Sequence, residues 1–107
     1  MKALLFAAIV SLVGVSQAQA NCAVEFTHDG QTEAFTPKME PVVKPGTDLA
    51  SYVYENYIND FYIRLMEVDG NYFATIKSPA QSVHAGPEEA IELELSHAGQ
   101  TLKAICQ

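Results

Sequence analysis

The chain is 107 residues long and carries six Lys and Arg against thirteen Asp and Glu, a formal net charge of −7. Binding to nucleic acid or to an anionic lipid surface needs a basic face, so both are excluded as expectations, and a cationic partner is the alternative to a purely solubilising role. Two cysteines and no tryptophan complete a composition with room for one small domain.

The first twenty residues have the organisation of an export signal. Lys2 gives a positive head, Ala3 to Val15 is almost wholly apolar, and Ala18-Gln19-Ala20 is a small-x-small cleavage site. The apolar run is shorter than the roughly twenty residues a membrane span needs, which argues against a retained anchor. Asn21 directly precedes Cys22, where lipid attachment would call for a small residue. The expected product is a soluble periplasmic or secreted domain over residues 21–107, without membrane insertion after the signal is removed. Residues 1–20 contain Lys2 and no acidic residue, so the remaining body is more acidic still.

Cys22 and Cys106 then stand at the two ends of the domain. Outside the reducing cytosol a lone pair has one intramolecular connectivity, and a disulfide between them is expected. Free thiols serving redox or metal chemistry are the competing expectation, but the chain has no Cys-x-x-Cys. The bridge requires α carbons within about 7 Å, so the first and last elements must be neighbours.

Periodicity predicts strands along nearly the whole domain. Cys22, Val24 and Phe26 alternate with Ala23, Glu25 and Thr27, Asp29-Gly30 supplies a tight turn, and Gln31 to Thr36 returns with Phe35 opposite Val24 and Glu33 opposite Phe26. Pro37, Pro41 and Pro45 leave space only for a brief edge strand at Val42-Val43. Thr47 to Asn59 is ambiguous. Leu49, Tyr52, Val53 and Asn56 fall at helical spacing, whereas three tyrosines with valine and isoleucine favour a strand, and the strand is preferred.

Phe61, Ile63 and Leu65 form one face of the next strand and Tyr62, Arg64 and Met66 the other. After Asp69-Gly70, Tyr72, Ala74 and Ile76 are expected opposite Glu67, Leu65 and Ile63. Ser78 to Glu89, with Pro79, Gly86 and Pro87, is expected to be a loop. Ile91, Leu93 and Leu95 then pair through the Ala98-Gly99 turn with Cys106, Ala104 and Leu102, and Glu94 faces Lys103. These elements predict an all-β domain, a small antiparallel β-sandwich or barrel of about seven short strands. An α+β fold with one helix near 48–58 is the runner-up.

Little in the chain suggests catalysis or a cofactor. There is no Gly-x-Ser-x-Gly and no phosphate-binding glycine loop, and His28, His84 and His97 are scattered. His28, Asp29 and Glu33 could converge on a metal at the first hairpin, and Asn56, Asn59, Asp60 and Asp69 offer oxygens, but neither a calcium-loop nor a zinc spacing is present. Glu88-Glu89 and Glu92-x-Glu94 are expected to be a solvated outer surface that discourages aggregation. No catalytic residue, metal ligand or cofactor is therefore assigned.

The functional signal lies in the aromatics. Tyr52, Tyr54, Tyr57 and Tyr62 crowd one segment, and Tyr62, Met66 and Phe73 share a strand face. Tyrosine suits interfaces because it joins a large apolar area to a polar tip. The alternative is that the proline segment or the 78–89 loop covers this face. The expected function is a non-enzymatic exported module that binds a macromolecular partner through Tyr62, Met66 and Phe73, as an inhibitor or accessory protein. A small-ligand or metal-binding β protein is the alternative from another class.

Overall fold

The computed structural model describes residues 21–43 and 50–107. They form nine strands: β1 (Cys22–His28), β2 (Gln31–Phe35), β3 (Glu40–Val43), β4 (Ala50–Ile58), β5 (Phe61–Val68), β6 (Asn71–Lys77), β7 (Ser82–Glu88), β8 (Ile91–His97) and β9 (Gln100–Cys106). A four-stranded antiparallel sheet in the order β2-β1-β9-β8 packs on a five-stranded one in the order β3-β4-β5-β6-β7. The all-β sandwich expected from periodicity is the fold. Residues 1–20, expected to be an export signal, lie outside the described residues.

Each hairpin follows from its turn. Asp29, Asn59, Asp69 and Ala98 all sit at φ near +50° and open two-residue turns. That left-handed geometry matches the right-handed twist of the flanking strands. Three of these turns continue into a glycine of positive φ, Gly30, Gly70 or Gly99. The registers are those the alternation demands: Val24 opposite Phe35, Leu65 opposite Ala74, Leu95 opposite Leu102.

One ambiguity is resolved as expected and one expectation is corrected. The segment that also carries helical spacing is the preferred strand, over 50–58, because pairing on both sides with β3 and β5 uses its backbone groups and its tyrosines cover pleated surface. The predicted loop at 78–89 instead contains β7. Two residues, Gly86 and Pro87, stand opposite Phe73 alone, and this bulge absorbs the residues that made the segment look like a loop.

The core lies between the sheets. Val24, Phe61, Ile63, Leu65, Ile76, Leu102, Ala104 and Cys106 are completely buried. Phe26 meets Phe61 edge-on with ring centroids 6.3 Å apart, so β1 crosses above β5. Cys22 and Cys106 face each other directly across β1 and β9 and are disulfide-bonded, with α carbons 4.0 Å apart. The bridge is the state expected of such a pair in an oxidising compartment.

Tyr72 secures the same end from the other sheet. Gln107 N donates to Asn21 O at 3.0 Å, and the Tyr72 hydroxyl accepts from Asn21 N at 3.1 Å while donating to Gln107 O at 3.4 Å. The phenol stands in for the second backbone bond of that terminal pair, and its own polar tip is satisfied although the residue is only 7% exposed.

Candidate functional site

The outward face of the five-stranded sheet carries the three residues expected to bind. Strand register sets it out in rows. Val42, Ser51, Val68 and Asn71 form the first; Glu40, Val53, Met66 and Phe73 the second; Glu55, Arg64, Thr75 and His84 the third; Tyr57, Tyr62, Lys77 and Ser82 the fourth. Met66 and Phe73 are directly opposite one another. Tyr62 is on the same face, two rows away, with Arg64 and Thr75 between. All three are half-buried.

The four tyrosines do not act as one cluster. Tyr52 and Tyr54 pair with Glu67 and Leu65, on the face turned to the other sheet, and Tyr54 packs against the core. Tyr57 and Tyr62 point outward with ring centroids 5.2 Å apart, and Tyr57 is 74% exposed. The split follows from period-2 geometry, since even and odd positions of β4 point to opposite faces. The outward patch includes Arg64, expected on this face beside Tyr62 and Met66, and gains Val53, which the sequence reading did not place there. The signal was present in the alternation of β4, hidden by its helical look.

The polar end of the face is internally bonded. The Tyr62 hydroxyl donates to a Glu55 carboxylate oxygen, and Lys77 Nζ sits 5.7 Å above the Tyr62 ring. The hydrogen bond to Glu55 raises the Tyr62 phenol above its ordinary range, with smaller contributions from burial and from the Glu55 charge, while Arg64 opposes the shift. Among the described residues no carboxylate lies within ion-pair distance of Arg64 or Lys77. An open depression of ≈ 170 Å³ lies over Arg64, Met66, Phe73, Ala74 and Thr75. Pockets that enclose small organic ligands are usually about 300–1,000 Å³ and deep, so this surface suits contact with a larger body.

Among the described residues, neither segment offered as an alternative cover for this face does so. The 78–89 stretch extends the sheet sideways as β7, and residues 37–43 bury Pro37, pack Met39 on the core and add β3 at the other edge.

Other candidate constellations are formed only in part. His28 is flanked by Asp29, 3.6 Å from Nδ1, and by Glu33, 3.7 Å from Nε2. The convergence considered from sequence is real, but the carboxylates address opposite ring nitrogens and cannot share one ion with the imidazole. No group of three or more His, Cys, Asp or Glu among the described residues is placed to hold a metal. On the outward face, His84 contacts Thr75 Oγ1 at 3.0 Å through Nδ1 and Ser82 Oγ at 3.3 Å through Nε2. Hydroxyls take both ring nitrogens, and among the described residues no carboxylate orients the ring as nucleophilic catalysis requires.

On the four-stranded sheet Lys103 pairs with Glu92 at 3.1 Å rather than with Glu94, its register partner. Its long side chain reaches the diagonal neighbour. That hydrogen bond is also the main reason its ammonium titrates above the ordinary lysine value. No protein-family model matches this chain, nor does any curated protein or solved structure.

Proposed function

We propose that this protein is an exported, non-enzymatic binding module that engages a macromolecular partner through the outward face of its five-stranded sheet. The observation that carries the proposal is the row Val53, Met66 and Phe73, bordered by Val68 and Val42 on one side and by Arg64, Tyr62 and Tyr57 on the other. Among the described residues no element packs over it. An apolar centre with an aromatic, arginine-bearing and polar surround is the composition of a protein interface core and its rim.

The compartment assigned is periplasmic or extracellular. It is supported by the disulfide and by the leader-like composition of residues 1–20. A rigid sandwich locked by a covalent bond suits this role, because a preorganised surface loses little entropy on binding.

The test is affinity capture from the native exporting compartment with the oxidised protein and a Tyr62→Ala/Phe73→Ala variant. A specific partner retained by the first and lost by the second, with circular dichroism and the disulfide unchanged, is the expected result. Equal retention by both proteins overturns the assignment of this face.

A further inference from the structure

We propose a second interaction surface, independent of the first: the free edge of β2 accepts an extended, cationic segment of a partner protein as an added antiparallel strand. The four sheet edges are not equivalent. On β3, Pro41 removes a donor. On β7, a bulge and Pro87 break the edge, and β8 packs beside it. β8 itself alternates its apolar residues with Glu92 and Glu94 and packs on β6 and β7. By contrast β2, Gln-Thr-Glu-Ala-Phe, has no proline, no glycine and no bulge.

The direction of its backbone groups follows from the ladder. Because Gln107 N bonds to Asn21 O, Asn21, Ala23, Glu25 and Thr27 face β9. Val24, Phe26 and His28 therefore face β2, where they meet Phe35, Glu33 and Gln31. Thr32 and Ala34 turn their N–H and C=O groups away from β1, and among the described residues no strand pairs with them. A strand laid along this edge completes those bonds, the geometry of strand addition to an exposed sheet edge.

Side chains specify the occupant. On the sandwich side of β2, Glu33 and Phe35 are both open to an added neighbour, at 71% side-chain exposure and 39% exposure respectively. An incoming antiparallel strand meets Phe35 with one residue and Glu33 with the next but one. Apolar-x-basic is the matching pattern. Residues 21–37 contain Glu25, Asp29 and Glu33 and no Lys or Arg, so the whole hairpin favours a cationic segment. A second copy of the chain fits less well, since pairing Thr32 with Ala34 across a two-fold axis sets Glu33 against its own counterpart.

The test is a nuclear magnetic resonance titration of the oxidised protein with the synthetic peptide Thr-Val-Thr-Lys-Thr-Val-Thr and its Lys→Glu analogue. Expected are amide shifts centred on residues 31–36, slowed hydrogen exchange at Thr32 and Ala34, and about tenfold weaker binding of the glutamate analogue. Ala34→Pro, which removes an outward N–H and leaves the β1 ladder intact, abolishes binding, and Glu33→Gln erases the preference for lysine. Should Ala34→Pro disturb the fold, Ala34→Lys tests the same edge by repelling the cationic peptide. Shifts confined to Met66 and Phe73 would overturn the proposal. So would Thr32 and Ala34 amides already protected in the free monomer, or concentration-dependent self-association that protects them without peptide.

Discussion

On the flank where β7 runs into β8, the two sheets close on each other: β8 packs against both β6 and β7, and Ile91 and Leu95 are buried. On the flank where β2 leads to β3, β2 is paired, among the described residues, with β1 alone, and Phe35 remains 39% exposed although Val24, its partner in register, is completely buried. Both flanks obey the same apolar–polar alternation. What differs is how fully the gap is covered, since across it Phe35 meets the Tyr54 ring edge-on, centroids 6.3 Å apart, and still keeps one side in water. Alternation decides which way a side chain points, and the opposing layer decides whether water reaches it.

Four measurements break or sharpen this contrast. The largest effect is expected from replacing both Cys22 and Cys106 by alanine. Loss of a bridge spanning 84 positions removes about 4–5 kcal/mol in the chain-entropy description, read from urea unfolding. Hydrogen exchange in that variant should rise first in β2, whose only strand partner among the described residues is β1.

Gly86→Ala is next. Its β carbon would lie 2.1 Å from the Tyr72 carbonyl oxygen and 2.9 Å from the Phe73 α carbon, at a φ of +103°, all against backbone that cannot step aside. A cost of roughly 2–4 kcal/mol is expected, together with loss of β7 protection. An unchanged midpoint would mean that the bulge is not what holds the closed flank.

Phe35→Ala is expected to cost about 1 kcal/mol, because a ring already in contact with water leaves a dent and not a cavity, whereas a buried phenylalanine costs about 3–5 kcal/mol. A value near the upper figure would show that the open flank is covered in solution.

The smallest effect concerns Tyr62. Its folded-state pKa is raised, so the proton is held more firmly in the native protein than in the unfolded chain. The stabilisation is complete below the ordinary tyrosine pKa near 10 and disappears as pH climbs through the folded value. Ultraviolet titration should show the Tyr62 phenol ionising above its ordinary range, and Glu55→Ala should lower it toward that range without altering the core.

The hairpins were readable from residues because their determinants are local. Asp29-Gly30, Asp69-Gly70 and Ala98-Gly99 carry both the turn and the register, and the cysteine pair placed the first strand beside the last. β7 was hidden for an equally physical reason. Ser82, Val83, His84 and Ala85 alternate, but Gly86 and Pro87 at the bulge resemble a loop until a partner strand is known.

The face bearing Tyr62, Met66 and Phe73 was legible as a face. Its extent was not, since Val53 joins it only through the pairing of β4 with β5. The unequal flanks were beyond reach as well, because they depend on how one sheet is set over the other and not on any segment alone.

The disulfide has a mechanical consequence. It joins Cys22 to Cys106 where their α carbons are 4.0 Å apart, and these residues lie next to Asn21 and Gln107. Tension applied through those two outer positions is carried by the sulfur–sulfur bond and never loads the strands between. Held at residues 21 and 107, the oxidised domain lengthens by only a few ångströms, whereas the reduced domain can be unravelled between those two points by the same pull.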